Sequence, residues 1–228
     1  MAQGSLGRLP DAAIAHVRAL ASGDATPAEP RHASTVVLLR DRPDGMQAYL
    51  LRRTRTMAFA AGMYVFPGGS MDPRDETLAD EAWAGPPPAA WAGLLSADEA
   101  LTKALVCAAV RETFEESGVL LAGSGPDDVV ADTTGDDWEV DRAALVDHSL
   151  SFAAMLDRRG LVLRADLLRP WAHWITPEVE PKRFDTRFFV AALPSGQRTR
   201  DVGGEADRVA WVRPADALAA AESGEMGM

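Results

Sequence analysis

Residues 111–119 read Arg-Glu-Thr-Phe-Glu-Glu-Ser-Gly-Val, and this stretch constrains the chain more than any other. On a helix, Glu112, Glu115 and Glu116 stand at i, i+3 and i+4, so three carboxylates leave from one face. Like charges that close repel unless something positive neutralises them. Oxygen donors of this kind suit a hard cation, Mg2+ or Mn2+. Gly118 offers the left-handed position that stops a helix, and Val119-Leu120-Leu121 then predicts an apolar strand. Taken alone, the run also fits a solvated acidic face. The upstream Phe66-Pro67-Gly68-Gly69 favours a site, because paired glycines let a backbone approach a ligand closely.

At 228 residues the chain is long enough for one elaborated domain with a sizeable core. A net charge of −11 argues against a nucleic-acid partner, which needs a basic stripe against phosphates. It does not exclude small anions, since local arginines and cations set the field where they bind. No apolar run reaches transmembrane length and the N-terminus lacks a signal pattern, so the expectation is a cytoplasmic protein without a membrane partner. The single cysteine, Cys107, sits in the apolar run Ala104–Ala109 and reads as a buried thiol without an intrachain disulfide.

Residues 1–33 read as an N-terminal helix (Pro10–Ser22) and a linker. Residues 34–228 read as a single domain. Strands are expected at Ser34–Leu39, Gln47–Leu51, Tyr64–Phe66, Trp171–Ile175, Phe188–Ala192 and Val209–Val212. A last helix is expected from Pro214. Between Gly69 and Arg111 lies a segment of about forty residues containing Trp83, Gly85-Pro86-Pro87-Pro88 and Trp91. Its proline run forbids one continuous helix, so a separate wall or lid is expected at about 72–100. Ser96, with Glu99 three places on, reads as the N-cap of the helix that carries the glutamates. A helical elaboration is expected at about 123–169. The fold class is α/β (α+β), a mixed β-sheet sandwiched between helices.

The glutamate helix resembles the catalytic half of the Nudix box, in which a glycine leads to a helix carrying R-E-x-x-E-E-x-G. The usual box is shorter, so the resemblance implies an insertion and places Asp75 where the box has its first glutamate. The segments Trp171–Glu178 and Pro181–Phe189 are similar to a Nudix branch with such an insertion, which includes the peroxisomal coenzyme A diphosphatase of animals. In similar sequences a further helix follows the end of this chain. The resemblance implies hydrolysis of a nucleoside-diphosphate conjugate. Coenzyme A or acyl-coenzyme A would give 3′,5′-ADP and (acyl-)4′-phosphopantetheine. NADH, ADP-ribose or a nucleotide sugar is the second substrate reading, and a non-catalytic nucleotide-binding module the third.

On that reading Glu112, Glu115 and Glu116, with the Gly69 carbonyl, hold Mg2+ or Mn2+. Arg111 and Glu115 join the catalytic set, and Glu205 in Gly203-Gly204-Glu205 is the loop candidate for general base, with Glu178 and Glu180 as rivals. Arg53, Arg183 and Arg187 are the candidates for substrate phosphates, because guanidinium matches phosphate oxygens in bidentate geometry. Arg53, Thr54 and Gly62 also fall in register with a coenzyme A fingerprint, whereas Ala58 stands where a second arginine belongs. A homodimer is among the assemblies the sequence leaves open.

Overall fold

Apolar residues alternate from Ala33 to Leu38 as a half-buried strand requires, and in the computed structural model they build β1 (Arg31–Arg40). The structure describes residues 11–54, 62–200 and 206–228. Ahead of β1 lies α1 (Asp11–Ser22). After it come β2 (Gln47–Arg53), β3 (Tyr64–Val65) and β4 (Gly68–Ser70). The insertion then contributes two 3-10 turns, Pro73–Thr77 and Asp80–Ala82, β5 (Trp83–Ala84) and α2 (Pro88–Leu95). Next come α3 (Glu99–Ser117), β6 (Ala122–Gly123), α4 (Asp136–Val146), α5 (Phe152–Arg159) and β7 (Val162–Arg164). The chain continues through β8 (Leu168–Ile175), β9 (Phe184–Ala192), β10 (Ala206–Val212) and α6 (Pro214–Glu222).

The main sheet runs β10-β2-β1-β9-β8, with β1 and β9 parallel and the other neighbours antiparallel. β1 and β2 touch only at one end, where Leu39 faces Ala48 and Arg40 faces Gln47. Beyond that point they splay. β3 fills the gap against Leu51 and Arg52 of β2, and β4 fills it against Ala33–Thr35 of β1. This wedge brings Gly68 and Gly69 over α3. Helices α2 and α3 cover one face of the sheet, with α3 against β1 and α2 against α3 and β8. Cover on the other face is sparser, since neither α1 nor α6 packs broadly on it.

The proline-rich insertion does not extend α3, as expected, but it packs as a wall along that helix and not as a separate lid. From residue 68 to residue 88 it runs back along α3 toward the start of that helix, with Gly68 at Glu116, Asp75 at Arg111, and Asp80 at Lys103. Leu78, Trp91 and Leu95 join the same core as Val106, Phe114 and Phe189. Burial of those side chains outweighs any separate existence for the segment. The two elaborations also meet: β5 pairs with β7, and β7 with β6, in a second small sheet. Arg74 of the insertion reaches the carbonyl of His148 at 2.9 Å.

Two expectations of local structure are corrected. The N-cap of α3 is Asp98, whose carboxylate accepts from the Leu101 amide at 2.8 Å. Ser96 instead closes α2 in a left-handed conformation, φ 50°. Val119-Leu120-Leu121 is buried but is not a strand. A single side-chain amide replaces the neighbouring strand there: Gln197 accepts from the Leu120 amide at 2.8 Å and donates to its carbonyl at 2.9 Å. Among the described residues no helix is long and apolar enough to cross a membrane.

Candidate active site

Arg111 organises the site. Its side chain is buried, and all five N–H donors have acceptors inside the protein. Nε and Nη2 grip the two oxygens of Asp75 at 3.0 Å each. Nη1 reaches Glu112 at 2.9 Å and Glu115 at 3.1 Å, and Nη2 also donates to the Ser70 carbonyl at 3.0 Å. No donor remains for a substrate, so Arg111 positions the carboxylates and does not itself contact the reacting atoms.

Asp75 is the residue that sequence reasoning noted only as a register position. It is 1% exposed and sits in a capping box with Asp72, accepting from the Asp72 amide at 2.8 Å. Its place in box register was the available signal. The Cys107 thiol lies behind it, 3.7 Å from Oδ1, and burial together with the Asp75 charge pushes that thiol well up from its ordinary range. It is a packing residue, as expected from its apolar run.

The glutamates divide the work around this arginine. Burial, then the neighbouring Glu115 charge, lifts Glu112 to about 7, opposed by the Arg111 guanidinium. Burial likewise raises Glu115, again against the pull of Arg111. Glu116 turns to the glycine wedge and accepts from the Gly68 amide at 2.8 Å. A Cβ placed on Gly69 would stand 2.5–2.6 Å from the Glu112 carboxyl, so only glycine leaves that carboxyl its place.

The end of α3 is fixed from three sides that the sequence did not advertise. Its last carbonyls have no partner within the helix. Arg142 of α4 donates to the Glu115 carbonyl at 2.9 Å, the Arg200 amide to Ser117 at 2.9 Å, and Thr133 to Gly118 at 2.6 Å. Gly118 adopts φ 74°, as its position required. The carboxylates therefore project from a rigid support.

A divalent cation fits the donor chemistry. Asp75, Glu112 and Glu115 set three carboxylates against one buried guanidinium, before Glu116 is counted. That surplus of negative charge in a desolvated place calls for a further positive charge, and every donor is a hard oxygen. Among the described residues no three acidic, His or Cys side chains already form a cation cage.

The arginines expected to meet phosphate are placed differently. Arg187 is 2% exposed and donates to the Leu95 carbonyl at 2.7 Å, to Ser96, and to Asp185. It ties the end of α2 to β9, which corrects its assignment to substrate. Arg183 holds the Thr176 carbonyl at 3.0 Å and the Ala28 carbonyl at 2.8 Å, a bracing role for the linker. Arg53 ends β2, where its amide meets the Met63 carbonyl at 2.9 Å, just ahead of the glycine wedge. Trp91 is buried against Phe189, and Trp83 donates to the Pro86 carbonyl at 2.9 Å. His173 is part-exposed and pairs with Asp185. Glu205 and Ala58 lie outside the described residues.

Comparison with known proteins agrees with this geometry. The model of the NUDT19 Nudix domain matches residues 94–228. A putative nudix hydrolase 7 of Caenorhabditis elegans is 27% identical over 78% of this chain and 50% of its own length. An acyl-coenzyme A diphosphatase NUDT19 of Xenopus laevis is 26% identical over 75% of this chain and 54% of its own. The chain thus spans about half the length of these curated relatives. A crystal structure of a NUDIX hydrolase from Alicyclobacillus acidocaldarius superposes with TM-score 0.73 at 32% identity, covering 87% of this chain and 85% of that one. With the glycine wedge, the Arg111 cluster and these likenesses together, the chain belongs to the Nudix hydrolases, in the branch of the NUDT19 Nudix domain.

Proposed function

We propose that this protein hydrolyses the diphosphate of coenzyme A or an acyl-coenzyme A in a divalent-cation-dependent reaction. The observation that carries the chemistry is the buried Arg111–Asp75 clamp with Glu112, Glu115 and Glu116 around it. The substrate class rests on the diphosphatases named among the relatives. Glu112, Glu115, Glu116 and the Gly69 carbonyl are the residues that would hold the cation. When bound, Mg2+ or Mn2+ supplies charge neutralisation at phosphate oxygens and a more acidic water. The protein's own part is orientation. Arg111 locks the rotamers of Glu112 and Glu115, Asp75 locks Arg111, and Gly69 keeps space over Glu112. Glu205 is our candidate to take the proton from water. Its segment follows Arg200, whose amide is fastened to Ser117 at the end of α3. Arg53 is our candidate for the 3′-phosphate, since its amide is bonded to the Met63 carbonyl a few residues ahead of the glycine wedge.

The test is a panel of coenzyme A, 3′-dephospho-coenzyme A, acyl-coenzyme A, NADH and ADP-ribose with Mg2+ or Mn2+, products identified by mass. Coenzyme A or its thioester should be cleaved best, and chelation should stop turnover. Glu116→Gln should lower kcat by orders of magnitude while the fold persists. Arg53→Ala should raise KM for coenzyme A about ten- to a hundredfold, the worth of one charge-assisted contact, and leave the dephospho form unaffected. Preference for NADH or ADP-ribose would overturn the substrate assignment. Near-normal turnover by Glu116→Gln would overturn the site.

A further inference from the structure

The two edges of the main sheet differ in kind. β10 forms one edge and carries Asp207 and Arg208, with Asp207 paired to Arg52 at 2.7 Å. Charges of this sort keep a strand edge from pairing with another chain. β8 forms the other edge, and among the described residues no strand lies on its outer side. Its last four residues, Ala172-His173-Trp174-Ile175, contain neither lysine nor carboxylate. The proline and the bulge that guard an edge lie at its start, between Pro170 and Ala172. The unguarded part is also the apolar part. Trp171 is 75% exposed, Trp174 70% and Ile175 51%.

Register assigns these side chains to faces. Ala172 and Trp174 lie opposite Phe188 and Thr186 of β9, on the sparsely covered face, and the Trp174 and Phe188 rings are 6.0 Å apart. His173 and Ile175 lie opposite Arg187 and Asp185, on the α2 side. A second antiparallel copy of β8 whose two-fold axis passes through His173 keeps both faces aligned. It would set Trp174 of each copy against the small Ala172 of the other. Large meets small on that face.

We infer that β8 is a homodimerisation edge, joining two copies into one continuous sheet. The partner is a second copy of this chain because Ala172 and Trp174 are complementary to each other about that axis. The two indoles alone offer on the order of 300 Å2 of removable surface. That is a large share of the roughly 800 Å2 per partner in a stable interface, and Ile175 and Phe188 border it. Pairing also satisfies the outward backbone groups of β8, which no described strand meets.

Sedimentation of the whole chain at micromolar concentration should give twice the 24.3 kDa chain mass. Trp174→Lys should sediment as a monomer with its circular dichroism unchanged. A cysteine probe tests the register independently of that variant's folding, because the native Cys107 is fully buried. Under mild oxidation His173→Cys should form a disulfide-linked dimer, whereas Asp207→Cys on the opposite edge should not. A wild-type monomer would overturn the inference, including one that instead binds lipid vesicles through its tryptophans. So would a dimer that cross-links through Asp207→Cys and not through His173→Cys.

Discussion

The two glycines of the wedge are adjacent and do different things. A Cβ on Gly68 would stand 2.7 Å from the Thr35 Cα, a backbone atom that cannot step aside. A Cβ on Gly69 would first meet the Glu112 carboxyl, a side-chain end and not backbone. Gly69→Ala should therefore leave stability within about 1 kcal/mol while lowering turnover at least tenfold, by displacing Glu112. Gly68→Ala should lose several degrees of melting temperature. Thermal melts beside steady-state rates separate the two, and equal loss of stability in both would contradict this division. At this scale the glutamates were legible because their spacing is local, and so was Gly118. Asp75 was legible only as a register position. Its partner lies 36 residues away, beyond the reach of helical periodicity. Arg187 misled because guanidinium chemistry is the same toward a phosphate and toward the Leu95 and Ser96 carbonyls. Only burial tells them apart.

Between α2 and α3 the chain turns within three residues, Ser96-Ala97-Asp98. The capping-box pattern, Ser96 with Glu99, pointed to Ser96, whereas the cap is Asp98, which has no glutamate three places on. The competing demand came from α2, which needed a left-handed residue to stop. Ser96 took that role, and its carbonyl and that of Leu95 became the anchor for Arg187. Ser96→Gly should stabilise the protein by about 0.5 kcal/mol, because glycine holds φ 50° without a Cβ penalty. Asp98→Ala should cost about 1 kcal/mol by uncapping α3. Urea denaturation of both variants checks the assignment, and the opposite ordering would return the cap to Ser96. Val119–Leu121 was misread for a related reason. An apolar run signals burial, but a strand also needs a neighbour, and here Gln197 supplies the bonds.

The whole molecule treats its insertion as core. Trp91 is 6% exposed and packs on Phe189 of the main sheet. Trp91→Ala should therefore cost about 3–5 kcal/mol, where a detachable lid would lose almost nothing. Equilibrium unfolding decides between them. The mixed α/β plan, the main strands and the position of the box were legible because each follows from local alternation or a fixed motif. The joining of two distant elaborations in the β5-β7-β6 sheet was not, since two-residue strands carry no periodicity. The backward run of the insertion along α3 has a kinetic consequence. Closing the loop from Asp75 to Arg111 costs on the order of 3 kcal/mol in chain entropy, and until it closes Arg111 lacks its two-oxygen partner. During synthesis Asp75 emerges well before Arg111, so the clamp waits for α3 to arrive. The centre therefore cannot form before α3 has folded against the insertion.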